Sequence, residues 1–239
     1  QGEPATRNTP EFSAPSPYRV GIVHCNVAKG GFRQRAAALV IVLLMFFALT
    51  PDAGAEIRIL GLGDSLMAGY GLPPGDGFPD QLQAALQADG VAAIVTNAGV
   101  SGDTSAGGRA RLDWALSSDP DVVILELGAN DGMRGLEPAE TKRNLDAILT
   151  TLGEKGLPVL LAGMLAPPNL GREYGAEFEA LFRDLAEKHG ALFYPFFLDG
   201  VVGDPALNQQ DGIHPTREGV AVMVQRILPQ VKDLLARIE

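Results

Sequence analysis

The chain has 239 residues, of which 46% are apolar, 20% charged and 6% aromatic, enough for one domain with a buried core. These proportions exclude a disordered chain, a collagen-like repeat and a multi-span membrane protein. The net charge of −10 is uneven: residues 1–55 hold five Lys/Arg against three Asp/Glu, leaving 14 basic and 26 acidic groups in the remainder, a surface that repels nucleic-acid phosphates.

In chain order, residues 1–32 are rich in Pro, Gly, Ser and Thr, lack sustained apolar periodicity, and read as an unstructured or extraneous head outside the fold. Residues 33–55 read as a signal peptide. Arg33 and Arg35 form a basic flank, Ala36–Leu49 is an unbroken apolar run of 14 residues, and Ala53-Gly54-Ala55 is a small-residue cleavage site before Glu56. A membrane-crossing helix needs roughly 20 apolar residues, so export with cleavage after Ala55 is expected, not a stable anchor. The expected destination is the periplasm or the medium of a bacterium. Cys25 is the single cysteine and lies in the head, so residues 56–239 can form no disulfide, thiolate nucleophile or zinc–thiolate site.

From Glu56 onward, short apolar runs alternate with helical patterns. Ile57–Leu62, Val91–Thr96, Val122–Leu127, Val159–Ala162 and Ala191–Phe197 are predicted strands. Between them Leu82/Ala85/Leu86, Leu145/Ile148/Leu149/Leu152 and Phe178/Leu181/Phe182/Leu185 follow helical spacing. A last stripe, Val220, Val224, Ile227, Val231, Leu234 and Ile238, predicts a C-terminal helix that Pro229 kinks or divides. This alternation predicts a single three-layer α/β/α domain over residues 56–239, with a five-stranded parallel sheet covered on both faces. In such sheets ligands bind beyond the C-terminal ends of the strands.

Those ends carry the chemistry-bearing residues. Strand one runs into Gly63-Asp64-Ser65-Leu66 and strand two into Asn97–Thr104, which contains Gly102. Strand three is followed by Gly128-Ala129-Asn130-Asp131, and strand five by Asp211-Gly212-Ile213-His214. Singly, each is an ordinary turn or helix cap. Of the two histidines after Glu56, His189 ends a helical pattern before Gly190 and reads as a cap. His214 instead follows Asp211 by three residues, close enough for the carboxylate to hold one imidazole nitrogen and leave the other as a base. A serine nucleophile needs such a base, because a free hydroxyl is scarcely ionised at neutral pH. Met67 breaks the Gly-x-Ser-x-Gly pattern of a nucleophile elbow.

The four blocks, in this order, resemble those of the GDSL or SGNH hydrolase family, and the resemblance extends from Ile57 to the C-terminus. The longer strings at 63–70, 101–105 and 211–215 are similar to the bacterial thioesterase I/lysophospholipase L1/arylesterase type. The resemblance implies a flavodoxin-like SGNH hydrolase fold that cleaves esters or thioesters without a cofactor or metal. It implies that Ser65 is the nucleophile, His214 the base and Asp211 its orienting carboxylate. The implied oxyanion donors are the Ser65 and Gly102 N–H groups and the Asn130 amide.

Met164, Leu165, Leu170, Tyr174 and Phe197 are expected to line an acyl pocket, since two apolar loops follow strands four and five. Short-to-medium acyl esters or thioesters are the expected small-molecule partners. Three other readings stay open: a carbohydrate acetylesterase, a metal-dependent hydrolase using Asp64, Asp131, Asp211 and His214, and a non-catalytic flavodoxin-like binding module. Glu126 interrupts an apolar strand and needs a buried donor.

Overall fold

The computed structural model describes residues 56–238. The head, the signal peptide and Cys25 lie outside the described residues. Five parallel strands, β1 (Ile57–Gly63), β2 (Ala93–Gly99), β3 (Val122–Glu126), β4 (Val159–Ala162) and β5 (Leu192–Tyr194), form one sheet in the order β2-β1-β3-β4-β5. Both β3 and β4 are buried along their whole length, as strands covered on two faces must be.

The helices are α1 (Ser65–Ala68), α2 (Phe78–Ala88), α3 (Ser105–Ala110), α4 (Leu112–Leu116), α5 (Ala129–Met133), α6 (Pro138–Glu154), α7 (Arg172–His189) and α8 (Arg217–Leu235). Helix α2 packs against α8, and α6 against α7. Right-handed crossovers place these two pairs on opposite faces of the sheet. The stripe on α6, Leu145, Ile148, Leu149 and Leu152, is buried, as are Phe178, Leu181, Phe182 and Leu185 of α7. Each fully buried side chain of this size contributes roughly 1.5–3 kcal/mol, so the core dominates stability.

Three expectations shift. Strand β2 begins at Ala93 and runs to Gly99, because its register against β1 pairs Ile57 with Ala93 and Gly63 with Gly99. Strand β5 ends at Tyr194, where Pro195 cannot donate to a ladder. Helix α8 stays continuous through Pro229, its buried stripe of Val220, Val224, Ile227, Val231 and Leu234 holding both halves to the core.

The order of strands sets the location of the site. Strand β1 is followed by β2 on one side and β3 on the other, so the chain reverses direction across the sheet there. A crevice opens beyond the carboxyl ends of β1 and β3 at such a switch point.

Candidate active site

Strand β1 delivers Gly63 and Asp64, and α1 starts at once with Ser65. Asp64 makes this abrupt start possible: its carboxylate accepts the Leu66 N–H at 3.0 Å, capping the helix. Glu126, at the end of β3, lies beneath the same turn and accepts the Asp64 N–H at 3.2 Å. A Cβ on Gly63 would fall 2.5 Å from the Glu126 carboxyl, so only glycine leaves room for it. This supplies the donor that Glu126 needs, although its Oε1 has no partner among the described residues. Burial pushes the Asp64 carboxyl up to about 6 and raises Glu126 well above the ordinary carboxylate range, the adjacent Asp64 charge adding to the latter.

His214 lies on the loop that precedes α8. The loop between β5 and α8 is closed by an antiparallel bridge between Asn208 and Pro215 and by the Gln209 N–H donating to the His214 carbonyl at 2.7 Å. Gln209 Nε2 then donates to the Tyr70 carbonyl at 2.8 Å and the Pro215 carbonyl at 2.9 Å, joining this loop to the segment after α1. His214 Nε2 lies 2.9 Å from Ser65 Oγ, and its Nδ1 lies 2.7 Å from Asp211 Oδ2. Asp211 also accepts the Ile213 and His214 N–H groups at 2.9 and 3.0 Å. The His214 N–H, then the imidazole and the Ile213 N–H, hold the Asp211 carboxyl down at about 2, so it is ionised at neutral pH. An ionised Asp211 accepts from Nδ1–H, which leaves the Nε2 lone pair for the Ser65 hydroxyl proton.

Two further segments complete the rim. Residues 100–103 form a turn in which the Asp103 N–H donates to the Val100 carbonyl at 3.1 Å, with Gly102 at φ 85°. A positive φ at the third position defines a type II turn and favours glycine. Asn130 sits in the first turn of α5, its Nδ2 donating to Asp64 Oδ2 at 3.1 Å. The Ser65 and Gly102 N–H groups have no hydrogen-bond partner among the described residues, and both residues line the cleft.

This cleft has a volume of about 610 Å³ and a mostly apolar wall. Met164, Leu165, Ala166 and Pro167 line it after β4, and Phe196, Leu198 and Val202 after β5. Met164 and Leu165 thus lie on the cleft, whereas the other three residues expected there do not. Phe197 is 1% exposed and meets Phe78 edge-on at 4.8 Å in the core; Phe196 faces the cleft instead. Tyr174 donates its hydroxyl to the Leu136 carbonyl at 2.6 Å and stacks on Phe178, which turns it away. Leu170 packs over Gly135, beyond the lining residues.

Tyr70 was not anticipated: its ring lies 4.5 Å from that of His214, on the cleft wall. Its place in the string at 63–70 was the available signal. The carboxylates considered as metal ligands are occupied or dispersed. Asp131 accepts the Ser105 N–H and hydroxyl and the Thr141 hydroxyl, and Asp64 is committed to Leu66 and Asn130. Among the described residues no group of three or more His, Cys, Asp or Glu side chains is placed to hold a metal ion. His189 lies 2.6 Å from Asp146 at the end of α7, away from the cleft.

A model of the GDSL-like lipase/acylhydrolase family matches residues 62–222. The chain is 38% identical over 200 residues to esterase TesA of Pseudomonas aeruginosa, covering 83% of this chain and 99% of that protein. It is 36% identical over 205 residues to thioesterase 1/protease 1/lysophospholipase L1 of Escherichia coli K12, covering 85% and 95%. The crystal structure of AlinE4, an SGNH-hydrolase family esterase, matches with a TM-score of 0.65 at 46% identity, over 77% of this chain and 99% of that one. With its parallel sheet, its strand-end crevice and these relatives of nearly full coverage, the chain belongs to the GDSL-like lipase/acylhydrolase family.

Proposed function

We propose that Ser65, His214 and Asp211 carry out the ester and thioester hydrolysis of this family member through an acyl-enzyme, and that the cleft receives short-to-medium acyl chains. The observation that carries the reading is the continuous relay from Ser65 Oγ through His214 to Asp211, at 2.9 and 2.7 Å, on the wall of an apolar cleft. His214 takes the hydroxyl proton as Ser65 attacks the acyl carbonyl, then returns it to the departing alkoxide or thiolate. Water repeats the sequence and releases the acid. The Ser65 and Gly102 N–H groups and the second Asn130 amide hydrogen are the donors for the developing oxyanion. Asp211 orients the imidazole and stabilises it once protonated.

An apolar wall favours an acyl chain over a sugar, which speaks for an esterase or thioesterase of lipid-like substrates instead of a carbohydrate acetylesterase. Two relatives bear names in this range, esterase TesA and thioesterase 1/protease 1/lysophospholipase L1. Export follows from residues 33–55 as a signal peptide, and no helix among the described residues is long and apolar enough to cross a membrane.

Ser65→Ala should abolish turnover of p-nitrophenyl butyrate with an unchanged melting temperature, and Asn130→Ala should lower kcat by about 10²–10³. Turnover retained by Ser65→Ala contradicts the nucleophile, and an unchanged kcat in Asn130→Ala contradicts the oxyanion donor.

A further inference from the structure

Resting on that oxyanion reading, we infer that Asp64, Arg111 and Arg134 are positioning residues that lock the three oxyanion donors to one another. The donors belong to three separate segments: the turn after β1, the turn after β2 and the helix after β3. Beyond the strand ends the sheet ladder no longer fixes their separation, yet an oxyanion site works only when its donors are prearranged. Three side chains join the three segments pairwise.

Asp64 joins the first to the third, because one carboxylate caps Leu66 beside Ser65 and accepts the Asn130 amide at 3.1 Å. Only an acceptor faces Asn130 there, so its NH2 turns inward and its second N–H is left for the cleft. Arg111 joins the first to the second. Its Nε donates to Asp103 Oδ2 at 2.6 Å, one terminal nitrogen to the Gly63 carbonyl at 2.8 Å, and the other to the Ala98 carbonyl at 2.7 Å. Arg134 closes the triangle: its Nη2 donates to the Gly102 carbonyl at 2.8 Å, and its own N–H donates to the Asn130 carbonyl at 3.1 Å.

The gain is specific to Gly102. Its N–H belongs to the central peptide of the 100–103 turn, the peptide whose direction separates a type II from a type I turn. Arg134 grips the carbonyl of Gly102 and Arg111 grips the side chain of Asp103, so both groups just after that peptide are held. Lysine cannot substitute at Arg111, since three bonds in three directions require the planar fork.

The test compares Arg134→Ala, Arg111→Lys and Asp64→Asn with the wild type and with Asn130→Ala, using p-nitrophenyl butyrate and a butylboronic acid inhibitor. The boronate's tetrahedral adduct places its charged oxygen where the donors converge. Loss of positioning should lower kcat about 10- to 100-fold in each variant, leave KM within about threefold, and weaken boronate inhibition by a matching factor. Arg134 is exposed, so its variant reports even where Arg111→Lys fails to fold. Wild-type kcat in Arg134→Ala, or a loss confined to KM, overturns the inference. Normal kcat in Asn130→Ala would instead remove the oxyanion reading, and the inference with it.

Discussion

Beneath Ser65 two carboxyls meet away from water, and their protonation sets a measurable signature. Glu126 and Asp64 are both fully buried, and Glu126 Oε1 has no partner among the described residues. An ionised, half-satisfied carboxylate in such a place is costly, so burial, with the Asp64 charge beside it, raises the Glu126 carboxyl well above its ordinary range. In the unfolded chain Glu126 ionises near its ordinary value of 4.5, while folding raises it well above that. Its favourable share of stability is therefore complete below 4.5 and is lost as pH rises toward the folded value. Asp64, raised from 3.8 to about 6, acts in the same sense over its own window and is present in both proteins of the comparison. Glu126→Gln cannot ionise and escapes the loss. Its melting temperature should gain on the wild type by roughly 3–5 °C per pH unit above 4.5, since one proton amounts to about 1.4 kcal/mol per unit. A difference that stays level between pH 5 and 8 contradicts the upward shift of Glu126.

At the scale of elements, the loops after β4 and β5 build the apolar wall of the cleft. The sequence made both loops visible as apolar stretches at the correct end of the sheet, but not which side chain faces inward. Phe196 and Phe197 illustrate the difficulty: adjacent residues point to opposite sides, and Phe197 turns to the core where its N–H donates to the Gly163 carbonyl at 2.9 Å and its ring meets Phe78. That bond joins two loops, a contact no local pattern encodes. Tyr174 and Leu170 likewise belong to packing against the 134–136 segment, which is distant in sequence. The helical stripes and the strands were legible because burial repeats along them at fixed periods. Leu165 is 44% exposed on the cleft wall, so a larger side chain there narrows the entrance without disturbing the core. Leu165→Trp should shift the preferred p-nitrophenyl ester to shorter chains in a series from about two to sixteen carbons, with acetate turnover changed less than decanoate turnover. An unaltered chain-length profile would mean that the acyl group lies elsewhere.

For the molecule as a whole, the strand order gathers segments from residues 64, 102, 130 and 214 at one crevice, and this convergence is what the relay requires. The four motifs were readable in sequence because glycine-rich polar turns stand out at the ends of apolar strands. Their ties were not readable. Arg111, Arg134 and Gln209 look like ordinary surface residues until the fold brings distant carbonyls within their reach. A single serine, activated across this crevice, is proposed to carry the covalent step. Reaction of the protein with a p-nitrophenyl alkylphosphonate, followed by peptide mass spectrometry and an assay of residual ester turnover, tests this step. One phosphonyl group per chain is expected, located on Ser65, with activity lost in proportion to labelling. A label on any other residue, or full turnover after Ser65 is labelled, would contradict it.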